Sequence, residues 1–115
     1  MKTKENFKTA RNRNNKVALY IRANEVDGVA RQLFRAISFA NKHGIELSTS
    51  RIYADICSGN HFPRPAFDRM LREKGEKRYK TVLITDTTRL ARNPEALLMA
   101  NLQLVMSGLT LKVAD

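Results

Sequence analysis

Apolar and polar positions change their spacing several times along the chain, and each change predicts a secondary-structure element. Residues 16–22 and 81–85 contain the continuous apolar runs VALYI and VLI, which are typical of strands covered on both faces. Residues 45–53 and 109–113 predict two further strands. The 45–53 segment, IELSTSRIY, is more polar, so we expect its strand to lie nearer an edge of the sheet.

Helical spacing follows the first strand. Residues 26–42 predict a helix with an apolar face formed by Val29, Leu33, Ile37 and Ala40. Asn24 or Asp27 is the expected N-cap, because either side chain can accept a hydrogen bond from a free backbone N–H of the first turn. His43-Gly44 is the expected end of this helix.

Two more helices are predicted to begin at prolines. Pro65 suits the first helical position, and this second helix should end near Lys74-Gly75. Its expected apolar face is Ala66, Phe67, Met70 and Leu71. Asn93-Pro94 predicts an N-cap and the start of a third helix, which should end at Ser107-Gly108. The expected core stripe of the third helix is Leu97, Leu98, Leu102, Val105 and Met106.

The predicted order is βαβαβαβ, which indicates an α/β fold with a mainly parallel sheet and flanking helices. Ligands of such sheets bind beyond the carboxyl ends of the strands. Three polar segments leave predicted strand ends, at residues 22–27, 55–64 and 86–92. We therefore expect these three segments to open onto the same edge of the sheet.

Charge adds a class of partner to this picture. The 115 residues, enough for one domain, carry a net charge of +10, which favours a polyanion such as nucleic acid. Residues 1–15 predict a basic, disordered arm, and residues 16–115 the folded domain. No apolar run is long enough to span a bilayer. Cys57 is the only cysteine, so an intrachain disulfide is excluded and a reducing, cytoplasmic location is expected.

Arginines are concentrated in the three polar segments. These segments contribute Arg22, Arg64, Arg89 and Arg92, together with Asp55 and Ser58. Guanidinium groups that converge on one edge would repel one another unless an anion lay between them, and their planar forks suit phosphate oxygens. The chain has neither a Gly-rich phosphate loop nor a carboxylate cluster of the two-metal kind, so we expect no metal.

Three motifs resemble those of the serine site-specific recombinases, the resolvase/invertase family. LYIRAN is similar to the family pattern Y-x-R-x-S, DICSGNHFPRP to D-x-x-S-G followed by an arginine, and TRLARN to D-R-L-x-R. The motifs occur in the family order, and the resemblance covers about residues 16–115. It implies the N-terminal catalytic domain of such a recombinase.

The resemblance also implies roles for the polar residues. The four arginines would surround the scissile phosphate of DNA, with Asp55 and Ser58 supporting them. Members of the family cut DNA through a covalent 5′-phosphoserine and require no cofactor. They act as dimers that pair into tetramers, so DNA and further copies of the chain are the expected partners. No membrane and no small-molecule substrate is expected.

Three features depart from the family pattern. Asn24 occupies the position of the nucleophilic serine, and a carboxamide whose nitrogen lone pair is delocalised is not a nucleophile. Thr88 replaces the acid that usually precedes Arg89. The sequence stops at Asp115, where the family's dimerisation helix and DNA-binding domain would follow, so we expect either an excised fragment or a protein that lacks both parts.

Several interpretations stay open on the sequence alone. Because of Asn24, a catalytically silent relative is slightly the better hypothesis. The competing hypothesis is an active recombinase that reacts through another hydroxyl or into which the asparagine was introduced. Asn24 could equally serve only as a helix cap. From a different class of protein, a small receiver-like or nucleotide-binding α/β module remains the alternative. A receiver needs an acidic cluster for Mg²⁺, whereas Asp55 and Asp86 lie among arginines.

Overall fold

The computed structural model describes residues 16–58 and 64–114. The predicted basic arm and residues 59–63 of the second polar segment lie outside these ranges. Four strands alternate with three helices, in the predicted order. The strands are β1 (Val17–Ala23), β2 (Ile52–Ile56), β3 (Thr81–Ile84) and β4 (Thr110–Val113). The helices are α1 (Val26–His43), α2 (Pro65–Lys77) and α3 (Pro94–Met106), and short 3₁₀ turns cover Thr49–Arg51 and Thr87–Arg89.

The sheet is fully parallel, with the strand order β2-β1-β3-β4. Apolar side chains of β1 alternate between its two faces, as the pleat requires. Leu19 and Ile21 belong to a core cluster with Ala36 of α1, whereas Ala18 and Tyr20 belong to a second cluster with residues of α2 and α3. Both faces of the central strands are thus covered, which explains their continuous apolar sequences. The predicted α/β class is confirmed.

The second strand lies later in the sequence than predicted. The expected strand covered residues 45–53, but β2 is Ile52–Ile56. Ile45 and Leu47 pack on the core from an extended segment that contributes one isolated bridge, Lys16 to Glu46. The 3₁₀ turn Thr49–Arg51 separates that segment from the strand. As expected, β2 is an outermost strand of the sheet.

Helix α1 starts at the predicted place but is capped differently. Its N-cap residue is Glu25, without a side-chain hydrogen bond, so the expectation of Asn24 or Asp27 as N-cap was wrong. Gly44 ends the helix in the left-handed conformation, as predicted. Of the predicted apolar face, Ala40 is buried and Val29 and Leu33 pack on the core, whereas Ile37 is exposed. The other buried residues of the helix are Gly28, Gln32 and Ala36.

Helix α2 begins at Pro65 as predicted but extends past Gly75 to Lys77, where Arg78 adopts a left-handed conformation. Helix α3 begins as predicted, because Asn93 Oδ1 accepts a 2.7 Å hydrogen bond from the backbone N–H of Ala96. The predicted core stripe of α3 was wrong. Ala100 and Leu104 are buried and Leu97 is partly buried, while the other four stripe residues are exposed: Leu98, Leu102, Val105 and Met106.

No helix within residues 16–58 and 64–114 combines the length and the apolar character needed to cross a bilayer.

Candidate functional site

The carboxyl ends of β1, β2 and β3 meet at one edge of the sheet. The backbone N–H of Cys57, just after β2, donates a 2.8 Å hydrogen bond to the carbonyl of Ala23 at the end of β1. The 3₁₀ turn Thr87–Arg89 follows β3. Polar segments from three parts of the chain therefore adjoin the end of the central strand β1, as the strand order requires.

Arg22 joins these segments from inside the protein. Its side chain is buried, and it donates 2.9 Å hydrogen bonds from Nη1 to the carbonyl of Cys57 and from Nη2 to the carbonyl of Thr88. Nη1 also donates to Asn24 Oδ1 at 3.2 Å. Because one guanidinium bridges the loops after β2 and β3, Arg22 holds the edge of the sheet together.

The other three arginines of the predicted site lie close enough to Arg22 to affect it. Burial lowers the pKa of Arg22, and the positive charges of Arg64, Arg89 and Arg92 lower it further. Arg22 Nε is buried without a hydrogen-bond partner among the described residues. The convergence expected from the sequence is therefore present, and it creates an electropositive edge.

Arg64 is also buried, and it lies at the N-cap of α2. Its Nη1 donates to the carbonyl of Leu90, which links the start of α2 to the loop after β3. Arg22 and Arg64 thus both support the segment that contains Arg89 and Arg92.

Asp55 lies in β2 rather than in the loop that was predicted to contain it, and it anchors helix α2. Its Oδ1 accepts a 2.9 Å hydrogen bond from the backbone N–H of Ala66, and its Oδ2 accepts one of 3.1 Å from Phe67. These N–H groups belong to the first turn of α2, where helical partners are lacking. Tyr20 Oη donates to the same Oδ2 at 2.8 Å. Asp55 therefore places the N-cap residue Arg64 indirectly, through the backbone.

Arg89 and Arg92 lie nearer to solvent. The side chain of Arg89 is 28% exposed, and its Nε lies 3.5 Å from Asp86 Oδ2. Arg92 is an exposed residue of the loop before α3. An anion approaching from solvent would reach these two guanidinium groups before the buried pair behind them.

Asp86 stabilises the loop that carries Arg89. Its Oδ1 accepts hydrogen bonds from the backbone N–H and the hydroxyl of Thr88. Partial burial by itself would raise the pKa of Asp86, but the Thr88 hydroxyl and the charges of Arg89 and Arg35 outweigh burial and lower it. Asp86 therefore supplies a carboxylate beside Arg89, although Thr88 fills the position where the family pattern has its acid.

Asn24 and Ser58 are exposed at the same edge. Asn24 follows β1 directly and accepts the Arg22 hydrogen bond through its carboxamide oxygen. Ser58 follows Cys57, whose backbone binds to the end of β1. The structure thus brings every described site residue to one edge, and their roles in binding or catalysis stay predictions.

The sequence analysis missed Gln32, which lies on the buried face of α1. Its Nε2 donates a 2.7 Å hydrogen bond to the carbonyl of Arg22, so a core amide stabilises the end of β1. The available signal was the four-residue spacing from Gly28 through Gln32 to Ala36, which places a polar side chain in the middle of a buried face. The analysis also missed Arg31 and Arg35, which line a cavity beside Asn24.

Solved structures of serine recombinases share this fold. The N-terminal catalytic domain of TP901-1 integrase is 25% identical with a TM-score of 0.70, over 86% of this chain and 77% of that chain. The catalytic domain of ISC1926 TnpA, an IS607-like serine recombinase, is 20% identical with a TM-score of 0.71, over 87% and 67% of the two chains. A resolvase family site-specific recombinase from Streptococcus pneumoniae is 24% identical with a TM-score of 0.68, over 86% and 71%. Curated proteins provide no match.

A family model described as the resolvase N-terminal domain matches residues 17–115, which is nearly the whole chain. The match covers all four strands and the edge where the arginines converge. The chain belongs to the resolvase N-terminal domain family, and it is a recombinase-like domain with the fold of serine recombinase catalytic domains.

Proposed function

We propose that this domain binds a DNA phosphodiester at the edge formed by Arg22, Arg64, Arg89 and Arg92. The observation that carries the proposal is the pair of hydrogen bonds from Arg22 to the carbonyls of Cys57 and Thr88. These bonds hold two arginine-bearing segments beside the end of β1 before any ligand arrives. Preorganised positive charge of this kind stabilises phosphate without reorganisation at the moment of binding.

The arginines divide into two layers with different tasks. Arg89 and Arg92 are accessible and would contact phosphate oxygens directly. Arg22 and Arg64 are buried and donate to backbone carbonyls, so they would place the outer pair and add long-range positive potential. Asp55 supports this arrangement by anchoring α2. Ser58, an exposed residue two positions after β2, would add a neutral hydrogen-bonding group.

As it stands, the domain is catalytically silent under this proposal. In the family reaction a serine hydroxyl oxygen forms a bond to phosphorus, and the 3′ oxygen leaves with a proton. The carboxamide of Asn24 has no comparable nucleophile, and its oxygen already accepts a hydrogen bond from Arg22. The domain would therefore bind DNA, alone or paired with an active partner or a second copy of this chain.

Restoring the hydroxyl tests the catalytic half of the proposal. The Asn24→Ser variant and the unmodified chain are incubated with a duplex library containing a random central sequence, and products are separated under denaturing conditions. We expect a covalent protein–DNA adduct with Asn24→Ser only. An adduct formed by the unmodified chain would refute the silent assignment, and a Ser58→Ala variant would then show whether Ser58 is the attacking residue.

Removing the outer charges tests the binding half. We expect Arg89→Gln and Arg92→Gln each to weaken duplex binding. In each variant the logarithm of the binding constant should fall less steeply with the logarithm of the salt concentration, by roughly one unit of slope. Lys80→Gln removes the same charge from the residue before β3, at the opposite edge of the sheet, and is the control. Equal weakening by all three variants would show that net charge alone attracts the DNA.

The receiver-like alternative predicts a different ligand, a mononucleotide with Mg²⁺. Residues 16–58 and 64–114 contain no group of three His, Cys, Asp or Glu side chains suited to a metal ion, so this alternative lacks its acidic site there. Magnesium-dependent mononucleotide binding without DNA binding would nevertheless favour it over our proposal.

A further inference from the structure

The basic cavity beside Asn24 adjoins the proposed phosphate site. It has a volume of about 360 Å³ and lies between helix α1 and the loop after β3, beside Asn24. Its polar lining consists of Asn24, Glu25, Arg31, Gln32, Arg35 and Arg89. Arg89 therefore faces both the proposed central site and this cavity, whereas Arg31 and Arg35 belong to neither the three family motifs nor the predicted site.

The cavity carries excess positive charge. Three guanidinium groups line it against one carboxylate, that of Glu25. Arg31 and Arg35 are four residues apart on one helix, so their side chains share a face one turn apart. Two cations at this spacing repel each other, and an anion between them would remove the repulsion.

The donors of these arginines are weakly engaged within the protein. Arg35 Nη1 lies 3.8 Å from Asp86 Oδ2, beyond hydrogen-bond distance, and its side chain is 57% exposed. Arg89 Nε is buried and lacks a hydrogen-bond partner among the described residues, since Asp86 Oδ2 is 3.5 Å away. Asp86 thus lies between two cations without accepting a hydrogen bond from either side chain, so the exposed guanidinium of Arg35 keeps donors for a phosphate oxygen.

Gly28 explains why α1 approaches the site closely enough to form this cavity. A Cβ atom added at Gly28 would lie 2.8 Å from Ala23 Cβ, a distance that real side chains do not adopt. The absent side chain lets the first turn of α1 lie against the end of β1. The exposed face of α1 is thereby brought beside Arg89, and Gly28 itself lines the cavity.

We propose that this cavity binds a second backbone phosphate of the same DNA strand, neighbouring the phosphate at the central arginines. Arg31 and Arg35 are its ligands, and Arg89 is shared between the two phosphates. The inference rests on the proposed function, since it assumes that the chain binds DNA. It adds a role for α1, which fixes the path of the strand past residue 24 and so determines which phosphate lies at the nucleophile position.

Matched double variants test the proposal by duplex binding over a range of salt concentrations. Arg31→Gln/Arg35→Gln removes both ligands, and both positions are exposed, so folding should be retained. Lys74→Gln/Lys80→Gln removes the same two charges near the opposite edge of the sheet, where Lys74 and Lys80 line a different cavity. Thermal unfolding of both variants verifies that each is folded.

Binding should be weaker in the arginine variant. Because one phosphate contact is lost, the logarithm of its binding constant should also fall less steeply with the logarithm of the salt concentration, by about 0.9 in slope. The lysine control should keep the slope of the unmodified chain. Equal slopes in both variants, or an unchanged slope in the arginine variant, would overturn the proposal.

A second measurement separates this inference from the proposed function. If the unmodified chain does not bind duplex DNA, the proposed function fails, and the cavity is tested with inorganic phosphate by NMR. Saturable shifts of the backbone amide signals of Gly28 and Gln32, which line the cavity, that are lost in the double variant would support an anion site of its own. Absence of such shifts would overturn the site as well.

Discussion

Tyr20 on β1 donates a 2.8 Å hydrogen bond to the carboxylate of Asp55 on β2, within the same core face that receives helix α2. Burial is the main reason that the pKa of Tyr20 is raised, and the negative charge of Asp55 raises it further, so the phenol remains a donor. The carboxylate uses its two oxygens for Tyr20 and for two backbone N–H groups of α2. One buried charge thus joins two strands and a helix.

Asp55→Asn should therefore destabilise the domain. An amide has one acceptor oxygen, so at least one backbone N–H of Ala66 or Phe67 would lose its partner in a buried setting. We expect a loss of about 1–3 kcal/mol in the free energy of unfolding, measured by urea denaturation. Tyr20→Phe removes only the hydroxyl and should cost about 1 kcal/mol. An Asp55→Asn variant as stable as the unmodified chain would contradict this role.

Arg22→Lys should loosen the site although it conserves the charge. A single ammonium group cannot reach the carbonyls of Cys57 and Thr88 in the manner of a planar guanidinium. We expect the unfolding free energy to fall by roughly 1.5–3 kcal/mol, and backbone amides of residues 86–92 to exchange faster with solvent. Arg31→Lys, at an exposed position, is the matched control and should change neither measurement. Unchanged exchange in Arg22→Lys would refute the bridging role.

Two helical glycines should respond to alanine with opposite sign. At Gly75 of α2 an added Cβ would meet nothing within 4 Å, so alanine should stabilise the domain by about 0.5–1 kcal/mol through helix propensity. At Gly28 the same Cβ would approach Ala23 Cβ to 2.8 Å, and alanine should cost about 1–3 kcal/mol through overpacking. Urea denaturation of both variants gives the two signs. Stabilisation by Gly28→Ala would show that α1 can move away from β1 without cost.

Protonation of Asp86 at low pH should lower the free energy of unfolding. The pKa of this carboxyl is lowered in the folded protein, so the unfolded chain takes up its proton first as the pH falls. The contribution of Asp86 is complete above its unfolded pKa, near 4, and is lost as the pH falls through the lower folded value. The side chain is 37% exposed, so we expect less than about 1 kcal/mol.

Asp86→Asn isolates this contribution. Its unfolding free energy is compared with that of the unmodified chain at pH 6 and pH 3, and the difference should be smaller at pH 3 than at pH 6. Asparagine retains an acceptor for the Thr88 backbone N–H, so the loop should keep its turn. A difference that grows on acidification would contradict the assigned sign.

The order of strands and helices could be predicted because continuous apolar runs, prolines and helix-capping residues are local signals. That order in turn predicts the edge of the sheet at which the polar segments meet. The position of β2 could not be predicted. Asp55 carries a charge and precedes the sequence pair Ser-Gly, which is typical of turns, so IYADI resembles the start of a loop. The partners of Asp55 are nevertheless backbone N–H groups of α2 and Tyr20 on β1. These contacts join residues far apart in sequence, and they determine where β2 lies. The spacing of apolar residues along the chain carries no information about them.

The buried face of α3 was unpredictable for a different reason. Leucine, methionine and alanine occur on almost every side of this helix, so apolar spacing alone selects no face. The structure buries Ala100 and Leu104, where a small and a large side chain fit against β4 and its neighbours. The N-cap of α1 was missed because Asn24 turns towards Arg22 instead of towards the helix.

The acceptors that hold Arg22 are main-chain carbonyls, which every amino acid provides. Side chains of both loops are consequently free to diverge in evolution without displacing this arginine. Substitutions at residues 24 and 88 would therefore leave in place the two acceptors that hold Arg22.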